Sequence, residues 1–205
     1  DKYKVYGELL HTYGYEVREG AKSVTVTNYY DGQEITIPLD GDLTPMENAK
    51  KYFDKYGKLK RTYEALNVLT KETEEELHYL ESVAVALDMA RSEDDLLQIR
   101  EELVGSGYIK KKGTGKKVKT ESKPLHYISN DGFHMYVGKN NIQNEELTFQ
   151  TAEGGDWWFH AKGMPGSHVI VKCKGKELPD ETFEQAARLA AHYSRGGRQD
   201  KVEVD

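Results

Sequence analysis

Between Gly57 and Gly105 the chain contains neither glycine nor proline. These residues are the strongest breakers of regular structure, so a run of this length without them points to helix wherever its apolar residues are periodic. They are periodic. Apolar and aromatic side chains fall at Tyr52, Tyr56, Leu59, Tyr63 and Leu66, in steps of four, three, four and three, and again at Leu69, Leu77, Leu80, Ala84, Leu87 and Ala90. This is a heptad-like seam, interrupted at Thr73. Thr44-Pro45-Met46-Glu47 carries the start signal, with Thr44 as N-cap, Pro45 in the first helical position and Glu47 three residues after the cap. The spacing predicts one long helix from about Pro45 to Ala90, on the order of 70 Å at 1.5 Å per residue. The alternative is a hairpin of two similar helices reversing near residues 67–73, and the absence of a breaker there favours continuity. Ser92, with Asp95 three residues on, opens a shorter helix over 93–103, expected to fold back on the first.

The flanks differ in character. In residues 2–13, Tyr3, Tyr6, Leu9, Leu10 and Tyr13 keep helical spacing, so the expectation is the end of a helix that begins in preceding sequence. From Ser23 to Pro38 the period drops to two around Asp31-Gly32, a β-hairpin signal. Beyond residue 123, Asn130-Asp131-Gly132 marks a second hairpin, and Trp157–Ala161 and Val169–Cys173 read as further strands. Asp180 is expected to cap a helix over Glu181–Ser194. The alternation in Lys201-Val-Glu-Val-Asp resembles the start of a strand, so a piece of a longer protein is expected, ending within this second domain.

Charge is unevenly distributed. The net formal charge of -6 over 205 residues argues at first against nucleic acid. Residues 1–104 hold 13 Lys and Arg against 22 Asp and Glu, and residues 124–205 hold 9 against 12, whereas residues 105–123 hold seven Lys and one Glu. A basic connector therefore joins two acidic regions. With four glycines it reads as a flexible, solvated linker, and Lys110, Lys111, Lys112, Lys116, Lys117 and Lys119 are its candidates for phosphate neutralisation. The mean hydropathy is -0.77 and no window approaches eighteen consecutive apolar residues, so a membrane-spanning helix is not expected. The lone Cys173 excludes an internal disulfide framework and suits a reducing compartment, so a cytoplasmic location is expected.

Chemistry concentrates at Asp156-Trp157-Trp158-Phe159-His160 and Met164-Pro165-Gly166-Ser167-His168-Val169. Asp156, His160, His168 and Cys173 are acceptable metal ligands, but their spacing matches no tight ligand pair. Ser167 with a His and Asp156 has triad residue types without a nucleophile elbow. Nucleic-acid binding asks for aromatic and imidazole faces, a hydroxyl near phosphates and surrounding cations, here Lys139, Lys162, Arg195 and Arg198. The bland reading has Trp157, Phe159 and Val169 filling a core and the histidines satisfying local hydrogen bonds, and for any single aromatic it is the better one. For the polar members of the cluster together, function is favoured. Asn140 and Asn141, in the Asn-rich turn that also contains Asn144, either cap a short helix or contact a ligand. No metal or cofactor is expected.

Several segments together resemble the NFACT family: Tyr6-Gly-Glu-Leu-Leu, Asn28-Tyr-Tyr-Asp-Gly, Glu47-Asn-Ala-Lys-Lys-Tyr-Phe-Asp-Lys-Tyr, Ile99-Arg-Glu-Glu-Leu, Val137-Gly-Lys-Asn-Asn-Ile-Gln-Asn, Trp158-Phe-His and Pro165-Gly-Ser-His-Val. The resemblance implies an α+β protein in which a long α-helical coiled-coil arm, with a small β-hairpin at its base, precedes a small α+β domain. Residues 1–44 would close an N-terminal region, 45–104 form the coiled coil, 105–123 link, and 124–205 form an RNA-binding domain lacking its last strands. It also implies a ribosome quality-control role: binding to large ribosomal subunits that carry peptidyl-tRNA, through rRNA and stalk-base proteins, and recruitment of tRNA for alanine tailing. No enzymatic activity of the chain's own is implied. Asp156, Trp158, His160, Gly166, Ser167 and His168 match the positions for which RNA contact is proposed in the family. An older label for such proteins gives the alternative, a surface adhesin for fibronectin or fibrinogen. If the lysine connector contacts duplex RNA, each phosphate neutralised lowers the logarithm of affinity by about 0.9 per tenfold rise in salt, which a salt titration of binding measures.

Overall fold

The computed structural model describes residues 2–110 and 121–205. It forms two compact units, residues 1–72 and 73–205. The long helix is continuous. Designated α2, it runs over Pro45–Met89 and contributes to both units. Its start is the expected capping box, with Glu47 N donating to Thr44 Oγ1 at 3.3 Å and Thr44 N donating to Glu47 Oε2 at 2.8 Å.

In the first unit, helix α1 (Lys2–Tyr13) and the antiparallel strands β1 (Ser23–Thr27) and β2 (Glu34–Pro38) close a core with the first turns of α2. The strand register sets Val26 opposite Ile35 and Val24 opposite Ile37, and Val26 and Ile37 join Tyr6, Leu9, Leu10 and Ala49 in the core. A pair of strands alone is marginal in water, and these helices supply the missing cover. Gly7 sits where α1 and α2 approach: a Cβ there would lie 2.8 Å from the Phe53 ring. Buried Asn48 ties the connection to α2, accepting from Asp40 N at 2.8 Å and donating to the carbonyls of Asp40, Leu43 and Thr44. The seam of α2 is paired with α1 through Tyr52, while Leu59, Tyr63, Leu66 and Leu77 are exposed.

In the second unit, helix α3 (Glu93–Gly105) starts on Ser92 Oγ, which accepts from Asp95 N, and packs on α2 through Val83, Ala86 and Ile99. Strands β3 (Leu125–Ile128), β4 (His134–Val137), β5 (Trp157–Phe159) and β6 (Val169–Lys172) make an antiparallel sheet in the order β3-β4-β6-β5. Met135, Val137, Phe159, Val169 and Val171 face Ala186 and Ala190 of helix α5 (Asp180–His192), with Cys173 and Met89 completing the core. Asp180 does not cap this helix. Pro179 occupies the N-cap position and Asp180 is the first helical residue, where its charge still suits the helix dipole. Residues 203–205 return beside 160–162, forming a single bridge between Ala161 and Val204.

The connector is less detached at its ends than its composition suggests. Tyr108 stacks on Tyr79 with ring centroids 5.5 Å apart and donates to Glu76 at 2.9 Å, and Ser122 donates to Asp95 at 2.6 Å. Lys110 is exposed. Lys111, Lys112, Lys116, Lys117 and Lys119 lie outside the described residues.

A buried polar network joins α3 to helix α4 (Asn141–Glu146). Lys139 Nζ pairs with Asp95 Oδ1, and Gln98 Oε1 accepts from Asn140 at 2.7 Å and Gln143 at 2.8 Å. Burial alone would raise the Asp95 carboxyl, but donors from Lys139, Ser122 and the Arg91 backbone outweigh it and hold it well below the usual carboxylate range. The stabilisation from this depressed pKa is therefore complete above the unfolded value of about 3.9 and is lost as pH falls below it. Asp95→Ala strands a buried ammonium and is expected to cost about 3–5 kcal/mol in urea unfolding at neutral pH. The cost shrinks as the pH of the measurement falls below about 4.

Candidate nucleic-acid interface

Strand alternation sorts the aromatic cluster onto two faces. Phe159 is buried against Phe183 of α5 at 5.0 Å between centroids, and Trp157 leans on the same ring at 5.7 Å while staying half exposed. Trp158 points to the opposite face and is 39% exposed. There it stacks with His160 at 5.7 Å and meets the edge of His168 at 5.2 Å, and the two imidazoles lie 5.2 Å apart, edge to face.

Backbone geometry holds this surface in place. Gly166 and Ser194 form a bridge, with Ser167 N donating to Tyr193 O at 2.8 Å and Arg195 N to Pro165 O at 2.9 Å. A Cβ on Gly166 would stand 2.9 Å from that of Ser194, so the crossing requires glycine. From α4, Asn144 accepts from His168 N at 2.9 Å and donates to Gly166 O at 3.1 Å. Behind it, residues 147–151 form a π-helical turn that shares a 2.7 Å hydrogen bond between Thr148 Oγ1 and His168 Nδ1 and leaves Phe149 81% exposed.

The imidazoles are not charged grips at neutral pH. Burial, and then the neighbouring His160, push the His168 pKa down to about 4. Burial also lowers His160, with His78 adding to the effect and Asp205 opposing it. Neutral imidazoles present flat faces for stacking and ring nitrogens for hydrogen bonding, and attract phosphate little.

The expected site residues do not all gather here. Trp158, His160, Gly166 and His168 do. Ser167 is 2% exposed, with Oγ 3.3 Å from Met89 Sδ, which leaves no base activating it. The Asp156 carboxylate is buried beneath its own loop, paired with Lys172 at 2.6 Å and accepting from Glu153 N and Cys173 N. Lys139 and Asn140 are buried in the α3 network, Asn140 serving as the α4 N-cap, and Asn141 bonds Ser82 and Glu102. Lys162 is exposed and pairs with Asp205 at 3.0 Å. Among the described residues no three or more His, Cys, Asp or Glu side chains converge as a metal site requires.

Arg195 and Arg198 line a different cleft, of about 700 Å³, between α2 and the segment after α5. Arg195 pairs with Glu81 there. Arg91 lines the same cleft and was not foreseeable, because nothing local distinguishes an arginine in a turn between two helices. His78, on the exposed half of a helical repeat, is likewise unmarked, yet it lines the cleft beside His160 and His168.

Comparison with known proteins divides the chain at residues 122 and 123, not at the boundary of the two compact units. The family model described as NFACT N-terminal and middle domains matches residues 1–122, and that described as NFACT protein RNA binding domain matches residues 123–204. The chain belongs to the NFACT family. Among NFACT relatives, the Rqc2 homolog RqcH of Streptococcus suis is 44% identical over 97% of this chain and 36% of its own length. That of Bacillus subtilis is 38% identical over the whole chain and 36% of its length. This chain therefore spans little more than a third of these relatives. The C-terminal part of the fibronectin/fibrinogen-binding protein from Streptococcus suis is structurally similar, with a TM-score of 0.69 and 35% identity over 98% of this chain and 70% of that one.

With His168 titrating near 4, its imidazole resonances are expected to stay unchanged between pH 8 and pH 6 in an NMR titration. RNA binding through this surface should not strengthen over that interval, as it would if an imidazolium gripped phosphate.

Proposed function

We propose that this chain is the coiled-coil and RNA-binding part of a ribosome quality-control factor. In this reading the full-length protein binds large ribosomal subunits carrying peptidyl-tRNA, through rRNA and stalk-base proteins, and recruits tRNA for alanine tailing of the nascent chain. The observation that carries it is the cluster of exposed Trp158 with half-buried His160 and His168 within a region that matches an RNA-binding domain family. The RqcH names of the relatives supply the process. Residues 1–44 would complete the N-terminal region, 45–104 the arm, 105–123 a basic linker and 124–205 the RNA-binding domain. The chain itself performs no chemistry on a substrate in this scheme. The cytoplasm is the corresponding location, and no helix among the described residues is long and apolar enough to cross a membrane.

Trp158 and His160 are the direct contacts in this scheme, whereas Asp156, Lys139, Asn140 and Ser167 act by holding the surface. Trp158→Ala and His160→Ala in the full-length protein are expected to lower cosedimentation with large subunits about tenfold, with the melting temperature preserved. Unchanged cosedimentation and tail addition in the double variant would sink the proposed surface. A second reading, a fibronectin- or fibrinogen-binding adhesin, is favoured by the structural similarity to the Streptococcus suis protein that carries that name. Display of the full-length protein on intact cells, together with micromolar or tighter binding to fibronectin, would establish it.

A further inference from the structure

The two edges of the four-stranded sheet are treated differently. On the β5 side the chain itself returns: His160 N donates to Asp205 O at 3.0 Å, Asp205 N to His160 O at 2.9 Å and Lys162 N to Glu203 O at 2.8 Å. The β3 side has no such cover. Ser129 N donates to Phe133 O at 2.9 Å, which fixes the alternation along the hairpin: Leu125 and Tyr127 turn their backbone groups to β4, and those of His126 and Ile128 point away from the sheet. Among the described residues these outward groups have no hydrogen-bond partner. Natural edges are commonly blunted by lysine, proline or a bulge, and Leu125-His-Tyr-Ile contains none of them.

The side chains beside this edge agree with it. On the outer face Ile128 is 62% exposed and His126 is exposed. On the inner face a groove of about 380 Å³ opens between β3 and α5, lined by Tyr127, Ile128, Met135, Arg188, Leu189 and His192 among others. Its walls are held together, with Asn130 N donating to Gln185 Oε1 at 3.1 Å and the Tyr127 and Tyr193 hydroxyls sharing a hydrogen bond at 2.5 Å. No carboxylate lines the groove among the described residues. Arg188 does line it, with its side chain 80% exposed in a pair with the equally open Glu184, an exchangeable contact in water.

We propose that the β3 edge and the groove beside α5 receive an extended acidic peptide segment of a partner protein, added antiparallel to β3. An open strand edge beside a helix is matched by an extended backbone, whose donors and acceptors repeat at the same spacing. Partner residues opposite His126 and Ile128 exchange backbone hydrogen bonds with β3 and set their side chains on the outer face beside Ile128. The partner residue opposite Tyr127 points inward, where an apolar side chain meets Met135 and Leu189. Acidic residues two places to either side lie along the groove that holds Arg188 and no carboxylate. This site is separate from the Trp158 surface and does not depend on the RNA-binding reading.

Fluorescence anisotropy of the full-length protein with the labelled peptide Glu-Val-Leu-Thr-Glu-Thr, blocked at both ends, tests it. Saturable binding is expected, and the same peptide with lysine for both glutamates should bind at least about tenfold more weakly. N-methylation of the fourth residue, which faces His126, removes a donor to β3 and should also weaken binding about tenfold. N-methylation of the leucine, whose N–H points away from β3, should leave binding unchanged. These comparisons leave the protein unaltered, so the result does not depend on a variant folding. Arg188→Glu should reverse the order of the acidic and lysine peptides. No saturable binding, equal loss from either methyl group, or a lysine peptide that binds as well as the acidic one overturns the proposal. A concentration-dependent dimer that Ile128→Lys abolishes, without peptide binding, also overturns it and gives the edge to a second copy of the chain.

Discussion

A buried charge pair anchors the second unit. Neither Lys139 nor Asp95 can be taken out of water alone, so α3, the Ser122 segment and the turn before α4 must assemble together or not at all. Everything at the candidate interface hangs from that assembly. Gln98 of α3 holds Asn140 and Gln143, Asn140 caps α4, and α4 presents Asn144 to Gly166 and His168. The orientation of the imidazole face is thus set by contacts that begin more than forty residues upstream in the chain.

That chain of dependence explains what could and could not be read from the residues. Signals that act within four positions were legible: the Thr44 and Ser92 caps, the Asn140 cap of α4, and the turn at Asn130-Asp131-Gly132. So was the long helix, because its evidence is a sustained period and an unbroken run. Roles that depend on distant partners were not. Lys139 looks like a surface cation until Asp95 is placed against it, and Asp156 looks like a site residue until Lys172 and two backbone amides close over it. Asp180 shows the opposite error, since a good capping residue stands one place too late and Pro179 precedes it. Trp158, His160, Gly166 and His168 were recognisable as a group, though only their placement in space distinguishes the stacking surface from the residues that support it.

Arg91, Arg195 and Arg198 line one cleft of the second unit, together with Glu81 and Asp88, and His78, His160 and His168 line another, together with Glu102 and Glu145. The overall acidity of the chain is no obstacle to such an arrangement, because screening over about 10 Å makes local charge, not the total, decide what approaches.

Cys173 closes the core of the second unit next to Val171, and its burial raises the thiol pKa. It is also the single cysteine of the chain. A protonated, enclosed thiol reacts slowly with electrophiles. A cysteine introduced on the surface of this chain would consequently take up a spectroscopic label almost alone, with no need to remove the native one and disturb the packing around it.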